Sequence, residues 1–308
     1  MAVIHFAPLQ GYTDSVYREA HTRVFGGVDT YYTPFVRIEK GGFRNKDLKD
    51  IACDRNRQVH VVPQLIASTP DEFRPIVRLF QENGYKEADI NLGCPFPMQV
   101  RAHRGSGLYK EEAESLLRTI EEFPDISFSM KMRLGWECTD ESFVLLSLLN
   151  KLPLKHITLH PRLGIQQYKG AIDWDGFSRF YDECELPLYY NGDLVGLEDI
   201  RGIKERFPGL AGIMLGRGLL ASPWLATEFV SGQVLTVNER RDKLVMFHES
   251  LMDEYAARLE GGEHQVLSKM KTIWDYLLPE ADKRLRKKVL KSTSLTSYQS
   301  AVKDLLSL

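Results

Sequence analysis

The chain has 308 residues, of which 43% are hydrophobic and 27% are charged, and its formal net charge at pH 7 is −2. This composition is typical of a globular protein with one large domain plus a small one, or with two ordinary domains. No apolar run approaches the roughly 20 residues that cross a bilayer, which excludes a membrane-spanning class, and no signal peptide is expected because no basic segment precedes an apolar core.

Four cysteines, Cys53, Cys94, Cys138 and Cys184, lie far apart in the sequence, with no CxxC pair and no spacing typical of a zinc site. We therefore expect reduced thiols in a cytoplasmic protein that binds no metal. The sequence also lacks coiled-coil heptads, and we expect a monomer.

Short apolar runs alternate with longer amphipathic segments from the amino terminus to about residue 230. The predicted strands are Val3–Ala7, Thr30–Val36, Val59–Ile66, Ala88–Asn91, Ile126–Arg133, His156–His160, Leu188–Asn191 and Gly212–Leu215. The predicted helices between them include Thr69–Asn83, Lys110–Phe123, Thr139–Asn150, Trp174–Cys184 and Leu197–Phe207. This alternation predicts a (β/α)8 TIM barrel. A doubly wound open sheet is the alternative, but no Gly-rich dinucleotide loop follows the first strand.

Strand signals stop after about residue 235, and apolar residues then recur at helical spacing. One such series runs from Leu244 to Leu259 and a second from Val266 to Leu277, with Gly261-Gly262 between them. A basic helix and a last helix near residues 298–306 would complete a small C-terminal all-α helical bundle. With Ser231-Gly232-Gln233 as the hinge, the sequence predicts a barrel domain over residues 1–232 and a helical domain over residues 233–308.

The segment Asn91-Leu92-Gly93-Cys94-Pro95 places one thiol directly after a short, mostly apolar run. Such a run is typical of a buried parallel strand, and the glycine and proline would end it. The Cys94 thiol is therefore expected where the strand becomes a loop. A lone cysteine can also be a small buried hydrophobe, so the residue type alone leaves both interpretations open.

Polar side chains occur near the end of almost every predicted strand, and the active site of such a barrel forms at the carboxyl ends of its strands. The residues at these ends are Gln10, Gln64, Asn91, Cys94, Lys131, Arg133, His160, Arg162, Asn191, Asp193 and Arg217. The loops after the last two strands are the common phosphate site, and the glycines there let backbone N–H groups approach a phosphate. Lys131 stands among apolar residues and needs a partner. A cofactor with a phosphate tail and a polarisable ring would suit both the phosphate site and Lys131.

A basic run near the carboxyl end consists of Lys283, Arg284, Arg286, Lys287 and Lys288, with Lys291 following. Such a run is usually the solvated face of a helix. Clustered lysine and arginine are also the electrostatic footprint of a nucleic-acid partner. Both interpretations are open on charge alone.

Taken together, these motifs resemble the tRNA-dihydrouridine synthase family over essentially the whole chain. The matching segments are Ala7-Pro8-Leu9-Gln10-Gly11-Tyr12-Thr13-Asp14, Asn91-Leu92-Gly93-Cys94-Pro95, Lys131-Met132-Arg133-Leu134-Gly135-Trp136, His160-Pro161-Arg162, Asn191-Gly192-Asp193 and Met214-Leu215-Gly216-Arg217-Gly218. Each is weak alone, but six occur in the family's order. Thr33-Pro34-Phe35-Val36-Arg37 and the helical segment 270–277 are most similar to the bacterial C subfamily, which modifies position 16 of tRNA.

The resemblance implies an FMN enzyme that reduces uridines of tRNA to 5,6-dihydrouridine with NADPH as the reductant. Hydride from flavin N5 would reach uracil C6, and the Cys94 thiol, mostly protonated at neutral pH, would supply the proton to C5. By the same carry-over, the flavin ring would be lined by Pro8, Leu9 and Gln10, and the ring or ribityl chain would be contacted by Gln64, Lys131 and His160. The ribityl phosphate would be held by Asn191, Gly192, Asp193, Gly216 and Arg217. The uracil would be oriented by Asn91 and Arg162, and the basic run would contact the tRNA backbone.

Two other hypotheses fit parts of the sequence. Lys131 on an apolar strand could form a Schiff base in a flavin-free aldolase, because desolvation lowers the pKa of a lysine. That hypothesis leaves Cys94 and the basic run unexplained. A catalytically inactive barrel that only binds RNA would need the basic run but not the combination of Cys94, Lys131 and His160.

Overall fold

The structure is a computed structural model that describes residues 3–52, 54, 56, 59–108 and 111–307. Cys53, and Lys110 at the predicted start of one helix, lie outside the described residues.

Eleven strands are present in the described part of the chain. Their bounds are β1 Val3–Phe6, β2 Thr30–Tyr32, β3 Ile38–Glu39, β4 Gly42–Phe43, β5 Val61–Val62, β6 Gln64–Leu65, β7 Glu87–Leu92, β8 Ser127–Arg133, β9 Leu154–His160, β10 Leu188–Tyr190 and β11 Gly212–Leu215. All except the antiparallel hairpin β3–β4 belong to one parallel sheet, in the order β5-β2-β1-β11-β10-β9-β8-β7-β6. The predicted strands are thus confirmed, with ends that differ by a few residues.

The sheet closes into a barrel at Pro63. Strands β5 and β6 lie at its two edges, yet only Pro63 separates them in the sequence. A proline has no N–H to donate to a ladder, so one strand is interrupted into two short ones. β5 pairs with β2, and β6 pairs with β7. The predicted (β/α)8 barrel is therefore confirmed, with the third strand split in two.

Helices follow the strands and cover the barrel. Their bounds are α1 Ser15–Val24, α2 Asn45–Ile51, α3 Pro70–Glu82, α4 Pro97–Val100, α5 Glu111–Arg118, α6 Asp140–Leu149, α7 Trp174–Glu183, α8 Leu197–Arg206, α9 Arg217–Ala221, α10 Leu225–Ser231, α11 Val237–Arg258, α12 Gly262–Ile273, α13 Lys283–Leu290 and α14 Leu295–Leu306. The start signal of α3 is confirmed, since the Thr69 hydroxyl accepts the Glu72 N–H at 3.3 Å. The sequence pattern had not indicated α1 or α2.

Helix α11 packs directly on the barrel, against α1, while α12 and α14 pack on α11 and α13 packs on α14. The Tyr255 hydroxyl of α11 donates to Asp14 at 2.8 Å, and Lys243 donates to the carbonyl of Val24 at 2.7 Å. Gly232 ends α10 with a φ of 70°, which is the left-handed geometry that glycine adopts without strain, at the position predicted to be the hinge. The division into domains 1–232 and 233–308 stays a prediction. Among the helices described, none combines the length and apolar character that a membrane span requires.

Candidate active site

One cleft of about 910 Å³ lies at the carboxyl ends of the barrel strands. The predicted site residues that line it are Pro8, Leu9, Gln10, Asn91, Cys94, Lys131, His160, Asn191, Gly192, Asp193, Gly216 and Arg217. They come from the ends of six strands, because parallel strands in a barrel deliver their last residues to one rim. Of the residues predicted on the barrel, only Gln64 and Arg162 do not line the cleft.

The loop that carries Cys94 is held by hydrogen bonds on both sides. The Asn91 side-chain oxygen accepts the backbone N–H groups of Gly93, at 3.0 Å, and Cys94, at 2.9 Å. The Cys94 carbonyl accepts both the N–H and the hydroxyl of Ser106, at 3.1 and 3.0 Å. Gly105 has a φ of 61°, and a Cβ there would lie 2.7 Å from the Cys94 carbonyl oxygen. Only glycine fits this turn, and the turn fixes the thiol at the cleft.

The thiol of Cys94 is kept in its protonated form. Burial raises its pKa above the usual value, and this outweighs the opposing effects of the Phe96 backbone N–H, Arg133 and Lys131. A protonated thiol at neutral pH can donate a proton but is a weak nucleophile. The geometry therefore suits a general acid.

Lys131 reaches the same cleft from strand β8. Burial lowers the pKa of its ammonium to about 8, helped by the charge of Arg133 and opposed by Asp89 and Cys94. Its ammonium forms no hydrogen bond with any residue in the described part of the chain, although Lys131 lines the cleft. A half-buried donor in this position is suited to a polar or anionic ligand.

His160 is a neutral donor at the end of β9. Burial, together with the charges of Arg133 and Lys131, holds its pKa well below the usual value. Its Nε2 lies 3.2 Å from Nη1 of Arg162. A guanidinium can only donate, so Nε2 accepts and we assign the ring proton to Nδ1.

The loops after β10 and β11 form the end of the cleft where a phosphate was predicted. Asn191 donates from its side chain to the carbonyl of Met214 at 2.7 Å, which ties the loop after β10 to strand β11. A Cβ at Gly218 would lie 2.0 Å from the carbonyl oxygen of Leu194, so a glycine is required for this close approach. Arg217 pairs with Asp193 at 3.1 Å and lines the cleft.

Arg162 and Gln64 lie behind the cleft wall. Arg162 is 3% exposed, forms an ion pair with Asp193, and donates from Nη2 to the carbonyl of Gly170 at 2.9 Å. This pairing lowers the pKa of the Asp193 carboxyl. Gln64 is fully buried, and its side-chain oxygen accepts from Asn91 at 2.8 Å. The predicted contacts of these two side chains with uracil and flavin stay predictions.

Several residues that line the cleft were missed by the sequence patterns. Arg37, Arg44 and Lys46 come from the region around the hairpin β3–β4. The guanidinium groups of Arg133 and Arg217 lie 5.4 and 5.1 Å from the ring centroid of Tyr168, which also lines the cleft. Loop residues without periodicity give no local signal of this kind. The available cues were the basic composition of segment 37–46 and the position of Arg37 at the end of the segment that resembles the C subfamily.

The helical part of the chain also forms one wall of the cleft. Asp275, Tyr276 and Pro279 line it. The Tyr12 hydroxyl donates to Asp275 at 3.0 Å, and the ring of Tyr12 meets that of Tyr276 edge to face at 5.1 Å. The site is therefore built by both the barrel and the C-terminal helices.

The basic run forms helix α13, and its members differ in environment. Lys283, Arg284 and Lys287 are exposed and have no ion pair with any described residue. Lys288 pairs with Asp304 at 2.6 Å, and Arg286 donates to the carbonyl of Trp274. Three of the five cations thus remain available to a partner.

Comparison with known proteins shows the family. Residues 5–306 match the family model described as Dihydrouridine synthase (Dus). The chain belongs to the dihydrouridine synthase family. Similar proteins include the tRNA-dihydrouridine(16) synthase of Pseudomonas putida, 29% identical over 75% of this chain and 74% of the relative. The enzyme of the same name from Pseudomonas syringae pv. tomato is 30% identical over 75% of both chains.

A probable tRNA-dihydrouridine synthase of Rickettsia conorii is 26% identical over 82% of this chain and 78% of the relative. The family match confirms the predicted enzyme class, a flavin-dependent oxidoreductase that acts on tRNA uridines, and the names of the Pseudomonas relatives agree with the C subfamily.

Solved structures share the fold at low sequence identity. A morphinone reductase mutant in complex with tetrahydroNAD superposes with a TM-score of 0.55 at 10% identity, over 76% of this chain and 88% of that one. A 2-naphthoyl-CoA reductase gives a TM-score of 0.55, also at 10% identity, over 75% of this chain and 50% of that one. At this identity the likeness concerns the barrel fold alone.

Proposed function

We propose that this cleft binds FMN and one uridine of tRNA, and that the enzyme reduces the uridine to dihydrouridine with NADPH as reductant. The observation that carries the proposal is that a protonated thiol, Cys94, and an ammonium without a hydrogen-bonding partner among the described residues, Lys131, line one cleft at the carboxyl end of the barrel. One group can donate a proton, and the other can stabilise developing negative charge.

The residues present fit a flavin mononucleotide. The loops after β10 and β11 would hold its phosphate through backbone N–H groups and Arg217, as is common in barrels of this class. Pro8 and Leu9 line the cleft with apolar surface suited to a planar ring. Lys131 and the Nδ1–H of His160 would donate to the acceptor atoms of that ring. When bound, the reduced flavin supplies the hydride that saturates the uracil C5–C6 bond.

The protein residues would control protonation and charge. Cys94 would donate its Sγ proton to uracil C5, and its thiolate would then regain a proton from solvent. Lys131 would stabilise the negative charge that develops before this proton arrives. The arrangement of Cys94 and Lys131 thus supports a general-acid role for the thiol.

The target uridine would be taken out of the RNA stack to reach the cleft, as enzymes that act on a base require. Phe96, Met98 and Tyr168 are more than half exposed at its edge, and such side chains can stack with bases. The names of the Pseudomonas relatives support position 16 as the target.

The test is the visible spectrum of the purified protein, recorded before and after anaerobic addition of NADPH and, as a control, of NADH. We expect a flavin spectrum that NADPH bleaches, and dihydrouridine at position 16 of tRNA after turnover. A protein that takes up no flavin, even when it is supplied with FMN, would overturn the proposal. Product at another position would overturn only the assignment of the target.

A further inference from the structure

A chain of buried hydrogen bonds runs inside the barrel from β8 to the Cys94 loop. Ser129 donates its hydroxyl to Oδ1 of Asp89 at 2.6 Å, and Gln64 donates its Nε2–H to Oδ2 of Asp89 at 2.7 Å. Asn91 in turn donates its Nδ2–H to Oε1 of Gln64 at 2.8 Å. Asp89 and Gln64 are fully buried, Ser129 is 3% exposed and Asn91 is 8% exposed.

Asp89 restricts which way the groups in this series of hydrogen bonds can donate. Burial raises the pKa of its carboxyl to about 6, opposed by its hydrogen bonds with Gln64 and Ser129 and by the charge of Lys131. Both of its oxygens accept hydrogen bonds, one from Gln64 and one from Ser129, as a carboxylate does. Gln64 must therefore turn its NH₂ group towards Asp89 and its oxygen towards Asn91.

The orientation of the Gln64 amide in turn fixes the orientation of the Asn91 amide. Because the Gln64 oxygen needs a donor, Asn91 must turn its NH₂ group towards Gln64 and its oxygen towards the loop. That oxygen is the acceptor for the N–H groups of Gly93 and Cys94. Reversing any one amide would place two donors or two acceptors face to face in a buried site, which is costly.

We propose that Asp89 is a positioning residue, whose carboxylate fixes the Gln64 and Asn91 amides in one orientation and thereby holds the Cys94 loop at the cleft. Asp89 does not line the cleft, and its link to the Cys94 loop runs through Gln64 and Asn91. A consequence concerns Asn91, whose oxygen is occupied by two backbone N–H groups and is not free to accept from the uracil. The proposal rests on the role proposed above for Cys94 as proton donor.

The proposal is tested by exchanging the carboxylate of Asp89 and the amide of Asn91 between the two positions. In Asn91→Asp alone, the new carboxylate still accepts from the loop but faces the Gln64 oxygen without a donor. In Asp89→Asn together with Asn91→Asp, the Gln64 amide can turn over, so that its two hydrogen bonds are re-formed in the opposite direction with the same total charge. The hydrogen bonds donated by Ser129 and by the loop N–H groups keep their direction. Ser129→Ala is the matched control, because it removes a hydrogen bond to Asp89 without changing the partners of the Gln64 and Asn91 amides.

The readout is hydrogen exchange of the Gly93 and Cys94 amides, resolved by fragmentation mass spectrometry. Pro95 contributes no amide to this segment, which simplifies the assignment. We expect Asn91→Asp to speed this exchange about tenfold, the double variant to return it to within about twofold of the original protein, and Ser129→Ala to change it less than about twofold. A double variant that exchanges as fast as Asn91→Asp, or faster, would overturn the proposal, because independent effects would add.

Steady-state kinetics provide a second readout. Asp89→Asn should lower kcat and leave the KM for tRNA unchanged, since Asp89 is fully buried and does not line the cleft; a rise in KM with unchanged kcat would contradict the positioning role. Exchange is measured without turnover, so the two proposals can fail separately. If the exchange pattern follows the swap but Cys94→Ala keeps full activity, the proton-donor role fails and the positioning of the loop stands.

Discussion

The carboxyl end of the barrel and helix α13 both concentrate polar side chains, but they hold them in opposite ways. At the barrel end, Asn91 and Arg162 are almost completely buried, and each makes several hydrogen bonds. On α13, Lys283 and Lys287 are exposed to solvent. A buried polar group left without a partner costs about 1–3 kcal/mol, whereas an exposed ion pair contributes about 0–1 kcal/mol. Single substitutions at the barrel end should therefore change the rate of the reaction. Substitutions on α13 should instead weaken tRNA binding by small, additive amounts that depend on salt.

The largest effect is expected from Cys94→Ala. Removing the proton donor should lower the rate of dihydrouridine formation by about 10²–10⁴-fold, while the flavin spectrum stays unchanged because the phosphate end of the cleft is intact. The measurement is single-turnover product formation with prereduced enzyme. Cys138→Ala, at an exposed cysteine, is the control and should keep full activity. Full turnover by the Cys94 variant would show that a single substitution at the barrel end does not stop the reaction, and would contradict the proton-donor role.

Lys131→Met should lower kcat/KM by about 10²-fold, because an electrostatic donor in a buried site is removed. The pH dependence has a defined sign. The pKa of Lys131 lies at about 8, so its charge is present below pH 8 and is lost as the pH rises through that value. The Cys94 thiol stays protonated over this range because burial raises its pKa. We expect kcat/KM to fall above pH 8 in the original protein.

In Lys131→Arg this fall should be absent, since a guanidinium keeps its charge. Lys155→Met is the control, as Lys155 is exposed near the start of β9 and pairs with Glu87. If the pH profile of kcat/KM is the same in Lys131→Arg as in the original protein and in Lys155→Met, the role of Lys131 is contradicted.

The positions of the site residues at the barrel end were predictable from sequence, because a short buried strand can be recognised and its last residues must lie at the rim. A short apolar strand followed by Gly93 and Pro95 indicated where Cys94 would lie, and the strand-end rule placed Lys131 and His160 on the same rim. The interruption of the third strand at Pro63 and the split into β5 and β6 were not predicted, because a single-residue break depends on the pairing of the neighbouring strands.

Contacts made by long side chains were not predictable. Nothing in the spacing of the basic run distinguishes Arg286, which donates to the Trp274 carbonyl, from Arg284, which stays in solvent. Likewise, Arg162 matched a motif at a strand end but turned behind the cleft to pair with Asp193. A flexible cation can reach many acceptors, and only the folded chain decides which of them lies within reach.

A smaller effect is expected on the helix. Replacing Lys283, Arg284 and Lys287 together by glutamine should weaken tRNA binding about tenfold at moderate salt, and should lower the slope of log Kobs against log salt by about 2–3, if each cation neutralises one phosphate. The measurement is a salt titration of tRNA binding. The control is Lys86→Gln, Lys151→Gln and Lys155→Gln, which removes the same charge near the amino ends of β7 and β9. Equal salt slopes in the two triple variants would show that α13 is only a solvated face.

The smallest effect on tRNA binding, less than about twofold, is expected from Arg286→Met, although this residue belongs to the same basic run. Its guanidinium donates to the carbonyls of Trp274 and Pro279, so it joins the end of α12 to α13. Losing hydrogen bonds from a charged donor should lower the free energy of unfolding by about 1–2 kcal/mol, measured by urea denaturation. The salt slope of tRNA binding should stay unchanged, because this cation is already occupied within the chain. A lowered salt slope with unchanged stability would reverse the assignment and place Arg286 with the exposed cations, so this variant separates the two kinds of polar residue within one helix.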